Sequence, residues 1–245
     1  YLDIDQLCRL LFSIFLFHSR DTRQAKNNSV ILCSIYIRNP QSDTKPRYLD
    51  LSSFYNSLLS KITDEIIPAT YKSTKIGNKI FGAAILNKSD LSTLIIGTNN
   101  EIVNPLFHGE ISTIFKFYDS KFNKDTKTSD CIFLSSHEPC SLCLSAISWS
   151  GFDNFYYFFP YNDTKNNFNI PHDLKILDQI FNIKKGKYNP KNDYWQSYSI
   201  QEEIKKLTDK NNKNFNEKIK KIYSEYAILS EIYQKNKLNN NIPFN

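Results

Sequence analysis

Two short stretches hold the side chains best suited to chemistry. Residues 104–110 read Asn-Pro-Leu-Phe-His-Gly-Glu, and residues 136–143 read Ser-His-Glu-Pro-Cys-Ser-Leu-Cys. The first supplies His108 and Glu110; the second supplies Cys140 and Cys143, with Pro139 just ahead of them. Two cysteines three apart at a helix start share one face, so both sulfurs can reach one ion. The helix N-terminus and a bound metal both favour the thiolate. A histidine from a neighbouring helix start, 32 residues before Cys140, gives a third ligand. Three protein ligands on tetrahedral zinc leave one position for water, as in a catalytic rather than a structural centre. Such a zinc generates hydroxide near neutral pH. Glu110 follows His108 by two residues, too close to share its direction, and is placed instead to carry a proton from the water to a leaving atom. The competing arrangement is a closed zinc site completed by His137 or Cys131, which leaves Glu110 and Asn99 without a purpose.

The elements that must hold these residues can be read from hydrophobic spacing. Residues 53–67 carry apolar side chains at helical intervals and predict a helix ending before Pro68. Residues 79–86 and 92–97 are short apolar runs joined by a polar turn, which reads as a hairpin. Residues 99–105 form a loop, 109–118 a helix with an acidic first turn, and 131–136 a buried strand. A helix spans 140–149, with Pro139 before it and Gly151 as its stop. Residues 155–159 (Phe-Tyr-Tyr-Phe-Phe) are another buried strand, 171–181 a helix, and 200–207 and 215–235 charged helices. Strands that alternate with helices lie parallel in a sheet covered on both faces. Each ligand-bearing stretch therefore enters a helix. Trp149 is expected in the core, Trp195 and Tyr194 as anchors of the C-terminal segment, Cys131 as a buried thiol, and His137 beside the site or at the surface.

The chain has 245 residues, of which 40% are hydrophobic and 14% aromatic. That is enough apolar surface for a core and argues against wholesale disorder. Only 6 glycines occur, which disfavours an all-β chain with many tight turns. The organisation reads as an N-terminal extension (1–48), a main domain (49–185) and a basic, largely helical extension (186–245). Residues 183–237 hold 13 Lys against 7 Asp and Glu, which accounts for the whole net charge of +6. Such a face is ordinarily solvated, although it can touch RNA phosphates. Five cysteines, two of them in C-x-x-C beside a distant histidine, indicate metal binding in a reducing, cytoplasmic compartment rather than a disulfide frame. The apolar stretch 10–17 is too short to span a bilayer. Acidic Asp3 and Asp5 precede it and no small-residue cleavage site follows, so it reads as a buried helix rather than a signal peptide, and no membrane association is expected. The absence of Met and the start at Tyr1 suggest a processed chain or a fragment.

H-x-E followed by P-C-x-x-C, each at a helix start, is the signature of zinc deaminases, and residues 53–182 resemble the cytidine deaminase-like superfamily. His108-Gly109-Glu110-Ile111-Ser112-Thr113 is similar to the matching stretch of fungal cytosine deaminases. Glu138-Pro139-Cys140 with Cys143 resembles bacterial tRNA adenosine deaminases. The resemblance implies an α/β fold: a three-layer α/β/α sandwich with a mixed, about five-stranded sheet, assembled as dimers or larger. It implies zinc on His108, Cys140 and Cys143, with Glu110 shuttling protons while hydroxide attacks the amino-bearing carbon of a nucleobase or nucleoside. It also implies that Asn99, in the Gly97-Thr98-Asn99 turn, contacts the base, and that the Glu138 carbonyl receives the departing amine. Phe107 is a candidate for the pocket wall. Residues 159–169 follow the fourth strand, where the superfamily places specificity residues, and Asp163 is the candidate there. A tRNA-directed adenosine deaminase is the alternative, and a catalytically silent zinc-binding protein the third possibility.

Overall fold

The computed structural model describes residues 50–208 and 212–245. The readings made for residues 1–48, including the apolar stretch 10–17, lie outside the described residues. Asp50 opens the first helix by accepting the Ser53 backbone N–H at 2.8 Å, a standard side-chain N-cap. Helix α1 (Leu51–Lys61) does not stop before Pro68 as expected. It passes through one π-helical turn (Ile62–Ile66) into α2 (Ile67–Lys75), with Pro68 in the first turn of α2. Proline cannot donate to the carbonyl four residues back and clashes with it. The wider turn, in which the Ile67 N–H reaches the Ile62 carbonyl, absorbs that defect without ending the helix.

The hairpin forms as expected from β1 (Gly82–Asn87) and β2 (Thr93–Thr98), paired antiparallel. Then come α3 (Gly109–Asp119), the single turn α4 (Phe122–Asp125), β3 (Cys131–His137), α5 (Ser141–Trp149) and β4 (Asn154–Phe159). After these follow α6 (Tyr161–Asn166), α7 (His172–Gln179), β5 (Gln196–Ser199), α8 (Ile200–Lys205) and α9 (Lys213–Asn236). The sheet order is β2-β1-β3-β4-β5, with β3, β4 and β5 parallel. β1 alternates cleanly between two cores: Ala84 and Leu86 face one side, Ala83 and Ile85 the other. One layer packs Leu58, Ile62 and Ile66 with Ile222, Tyr226 and Leu229 of α9. The opposite layer packs Ile114 and Phe117 of α3 with Leu144 and Ile147 of α5. The result is the α/β/α sandwich with a mixed five-stranded sheet.

Three expectations change. β5 is an unexpected strand, because Gln-Ser-Tyr-Ser carries no apolar alternation; its pairing with β4 is a backbone matter. Residues 186–245 are not a separate extension, since β5 completes the sheet and α9 closes one of its faces. Trp149 is 92% exposed rather than in the core: α5 turns Cys143, Leu144 and Ile147 inward, and Trp149 ends up on the outward side. Trp195 does anchor its segment, packing on Phe155 and donating from Nε1 to Ser148 Oγ at 2.7 Å, while Tyr194 stays exposed. Among the described residues, no helix is long and apolar enough to cross a membrane.

The close approach of α3 to β2 depends on Gly97. A Cβ there would lie 2.2 Å from Thr113 Oγ1 and 2.6 Å from its backbone nitrogen. Gly97→Ala should therefore lower stability by roughly 1–3 kcal/mol, as overpacking does, read as a fall in the thermal midpoint; an unchanged midpoint would contradict this packing.

Candidate metal centre and active site

His108 and Cys140 occupy the N-cap positions of α3 and α5, both with extended backbone. Neither side chain caps its own helix. They turn toward each other instead, with His108 Nδ1 3.4 Å from Cys140 Sγ. Cys143, one turn into α5, completes the triangle: 3.7 Å from His108 Nδ1 and 3.6 Å from Cys140 Sγ. Both helix N-termini end at this point, and their partial positive charge favours anionic sulfur.

The triangle fits zinc. Ligands at ordinary Zn–N and Zn–S lengths in tetrahedral geometry stand about 3.5 Å apart for N···S and about 3.8 Å for S···S, which are the edges seen here. Among the described residues, the cluster of possible ligand atoms consists of these three. Cys131 lies at the far end of β3, its thiol donating to the Lys127 carbonyl, and the nearer ring nitrogen of His137 faces Ser136 Oγ at 2.9 Å. Neither closes the site.

The protonation pattern follows from burial and contact. The Cys140 thiol is pushed well down by the Cys143 thiol that donates to it and, against burial, by His108. Burial pushes Cys143 up, as does the neighbouring Cys140 sulfur. Burial works against the His108 cation, but contact with Cys140 outweighs it and raises this imidazole to about 9. Cys143 and His108 thus keep their protons while Cys140 gives up its own, and a cation at the triangle would displace both.

Glu110 is 4% exposed. Its Oε1 accepts the Ser135 hydroxyl at 2.8 Å and its Oε2 faces Cys143 Sγ at 3.3 Å. Burial, then the Cys140 charge, pushes its carboxyl up. Glu110, His108 and Cys140 line a narrow cavity with Phe81, His137, Glu138 and Asp173.

Other expected site residues are distributed differently. The Asn99 side chain is buried beside the cavity, where its Oδ1 accepts the Gly109 N–H at 2.6 Å and its Nδ2 donates to Glu101 at 2.7 Å. Its other side lines a separate surface groove between α2 and α3. Glu138 ties the cavity to its cover: Oε2 accepts the Tyr161 N–H at 2.9 Å and Oε1 the Tyr188 hydroxyl at 2.8 Å. Phe107 packs on Ile111, Cys140 and Cys143 rather than lining the cavity. Asp163 is on α6, accepting the Tyr223 hydroxyl at 2.8 Å, and is not among the lining residues. Asp173, in the first turn of α7, lines the cavity in its place. Its carboxyl is pushed well up by burial and by Cys140. Its only signal in the sequence is an acidic residue at a helix start, which is common. Phe81, also missed, has the pattern of an ordinary strand residue.

Residues 57–159 match the model of the cytidine and deoxycytidylate deaminase zinc-binding region. That stretch holds His108, Glu110, Cys140 and Cys143, so the matched region contains the whole candidate metal triangle. The fold is similar to that of guanine deaminase from Nitrosomonas europaea (16% identity, 82% of this chain and 96% of that one, TM-score 0.47). It is also similar to guanine deaminase from Bacillus subtilis (22%, 55% and 98%, TM-score 0.38). A third similar structure is dCMP deaminase from cyanophage S-TIM5 (16%, 57% and 97%, TM-score 0.33). No curated protein sequence matches the chain.

His137 is 2% exposed, and burial lowers its pKa to about 3. The unfolded chain takes up a proton near pH 6.5 that the folded chain refuses until about pH 3. This residue therefore makes stability fall as pH drops through that window, by about 1.4 kcal/mol per unit while only the unfolded state titrates. His137→Gln should flatten the acid limb of a stability-against-pH curve measured by denaturant unfolding; an equally steep limb would rule this out.

Proposed function

We propose that the enzyme deaminates a free nucleobase or nucleoside of cytosine or purine type. The observation that supports this best is the cavity. It has Phe81 on its wall and no Lys or Arg among its lining residues, all of them described ones. Five of the lysines behind a tRNA-directed reading are on α9, which packs against the sheet face opposite α3 and α5.

Zinc, when bound, supplies the Lewis acid that makes water nucleophilic near neutral pH. The protein supplies proton handling and orientation. Ser135 fixes Glu110 through Oε1, which leaves Oε2 to carry two protons of the attacking water in turn, the first to the ring nitrogen and the second to the leaving amine. His137 reads the ring from the other side. Ser136 Oγ accepts the Gly82 N–H at 3.0 Å, so its hydroxyl proton is free to go to His137 Nδ1, 2.9 Å away. The neutral ring then carries its hydrogen on Nε2, an atom that has no partner among the described residues. It can donate to a carbonyl or bare ring nitrogen of the base. Asp173 supplies a carboxyl on the same cavity, suited to the N–H groups of an amidine edge. Asn99 holds the floor through Gly109. Phe107 and Asp163 support the wall and cover without facing the base.

We further place the enzyme in a reducing cytoplasmic compartment, where Cys140 and Cys143 stay available, and as a homodimer. The dimer reading draws on exposed apolar side chains of the metal-bearing helices and their loop, Leu106, Phe115, Leu142 and Trp149, a kind of surface that marks protein interfaces.

Two outcomes follow. Glu110→Ala should keep zinc yet reduce ammonia release from cytosine, cytidine, guanine and adenosine by at least ~10²-fold; turnover at the wild-type rate would remove Glu110 from this role. Trp149→Glu should turn a dimer into a monomer in light scattering, and an unaltered mass would place the interface elsewhere.

A further inference from the structure

Behind the metal-bearing turn is a charged pair that the chemistry above does not use. Lys79 and Glu101 form an ion pair at 2.7 Å, with side chains only 8% and 2% exposed. The Pro243 carbonyl covers the lysine, 3.3 Å from Nζ. Burying two charges is expensive, and well-packed apolar residues of similar size are often as stabilising or more so. Stability alone is a poor reason for this pair.

Its contacts lead to the active turn. Glu101 Oε2 accepts Asn99 Nδ2 at 2.7 Å, and Asn99 Oδ1 accepts the Gly109 N–H at 2.6 Å. Gly109 joins His108 to Glu110. It has no slack, because a Cβ there would stand 2.9 Å from the Phe81 carbonyl oxygen. Ser73 donates its hydroxyl to the Asn99 carbonyl, which fixes the asparagine from the side of α2. Glu101 Oε1, besides pairing with Lys79, is 3.9 Å from His108 Nε2. The other His108 nitrogen, Nδ1, faces the two sulfurs. A histidine that binds metal through Nδ1 keeps its hydrogen on Nε2, here directed at a buried carboxylate. Carboxylates placed behind metal-bound histidines fix the ring and raise its basicity.

We infer that Glu101, paired with Lys79, is a positioning residue for the zinc centre: through Asn99 it sets the His108–Glu110 turn, and its Oε1, 3.9 Å from Nε2, places a carboxylate behind the His108 ring. This rests on the zinc reading of the site, and it makes a prediction about metal affinity rather than about any substrate. In the alternative, the pair merely fastens the loop after β2, and an uncharged pair would serve as well.

The experiment compares wild type, Glu101→Gln and the double variant Lys79→Met with Glu101→Gln. It measures zinc affinity by competition with a chelator and the thermal midpoint of the metal-free protein. The amide introduced by Glu101→Gln can still accept from Asn99, but places no negative charge behind His108. Glu101→Gln alone leaves Lys79 buried and unpaired, so it should lower the midpoint and weaken zinc by about 10–100-fold. The double variant restores charge balance. Its midpoint should recover while its zinc affinity remains at least about tenfold below wild type. A double variant that regains both midpoint and wild-type zinc affinity would overturn the proposal, as would Glu101→Gln that binds zinc like wild type. An enzyme that binds zinc but releases no ammonia would sink the functional reading while leaving this result fully readable.

Discussion

Everything in the site depends on two helix N-termini meeting at one point. His108 and Cys140 are separated by 32 positions in the chain, yet their ligand atoms stand 3.4 Å apart. The neighbouring strands β1 and β3 make this possible. β3 runs directly into the turn before α5. The loop after β2 is held back against β1 by the Asn99 N–H to Phe81 carbonyl bond at 3.1 Å, so α3 begins beside the end of β3. The two dipole ends then add at the same place, where they favour thiolate and any other anion that collects there.

That concentration of polar groups has to be reconciled with burial. Glu110, Cys140, Cys143 and His137 are all at most 9% exposed, and a buried unpaired charge is costly. The structure meets this in two ways. Some groups are given partners of fixed geometry, such as Ser135 for Glu110 and Tyr161 and Tyr188 for Glu138. Others are held neutral, as burial does to His137. A divalent ion at the triangle reverses the local sign and relieves the accumulation of negative charge. The Lys79–Glu101 pair, one layer back, compensates its own charges and reaches the turn through neutral Asn99 and Gly109.

Much of the fold was legible because its signals are local. Short apolar runs gave β1 through β4, helical spacing gave α1, and an acidic first turn, the Pro139 and Gly151 boundaries and a charged pattern gave α3, α5 and α9. The misreadings share a cause. Pro68 ends an ordinary helix, but a single π turn lets the chain continue, and nothing in the local sequence announces one. β5 is specified by the open edge of β4 and not by its own side chains. Trp149 reads as core because tryptophan is large and apolar; its exposure was settled by which face of α5 the sheet took. Asp173 and Asp163 are both acidic residues in the first turn of a short helix, and only the path of α6 and α7 across the cavity puts Asp173 at the wall and Asp163 against Tyr223.

The amino-acid sequence by itself singled out His108, Glu110, Cys140 and Cys143 as one set and suggested the chemistry proposed for them. Those depend on residue types at fixed short spacings, where helix geometry alone brings Cys140 and Cys143 to one face. Tertiary structure decided the size of the cavity, the aromatic wall at Phe81, the acid at Asp173, the unpartnered nitrogen of His137 and the buried pair behind His108. Each of those arises between segments far apart in the chain. Their contacts are set by sheet order, by the closing of α9 over the sheet and by the packing of α7 on α5 and α6, a long-range outcome that no local spacing encodes.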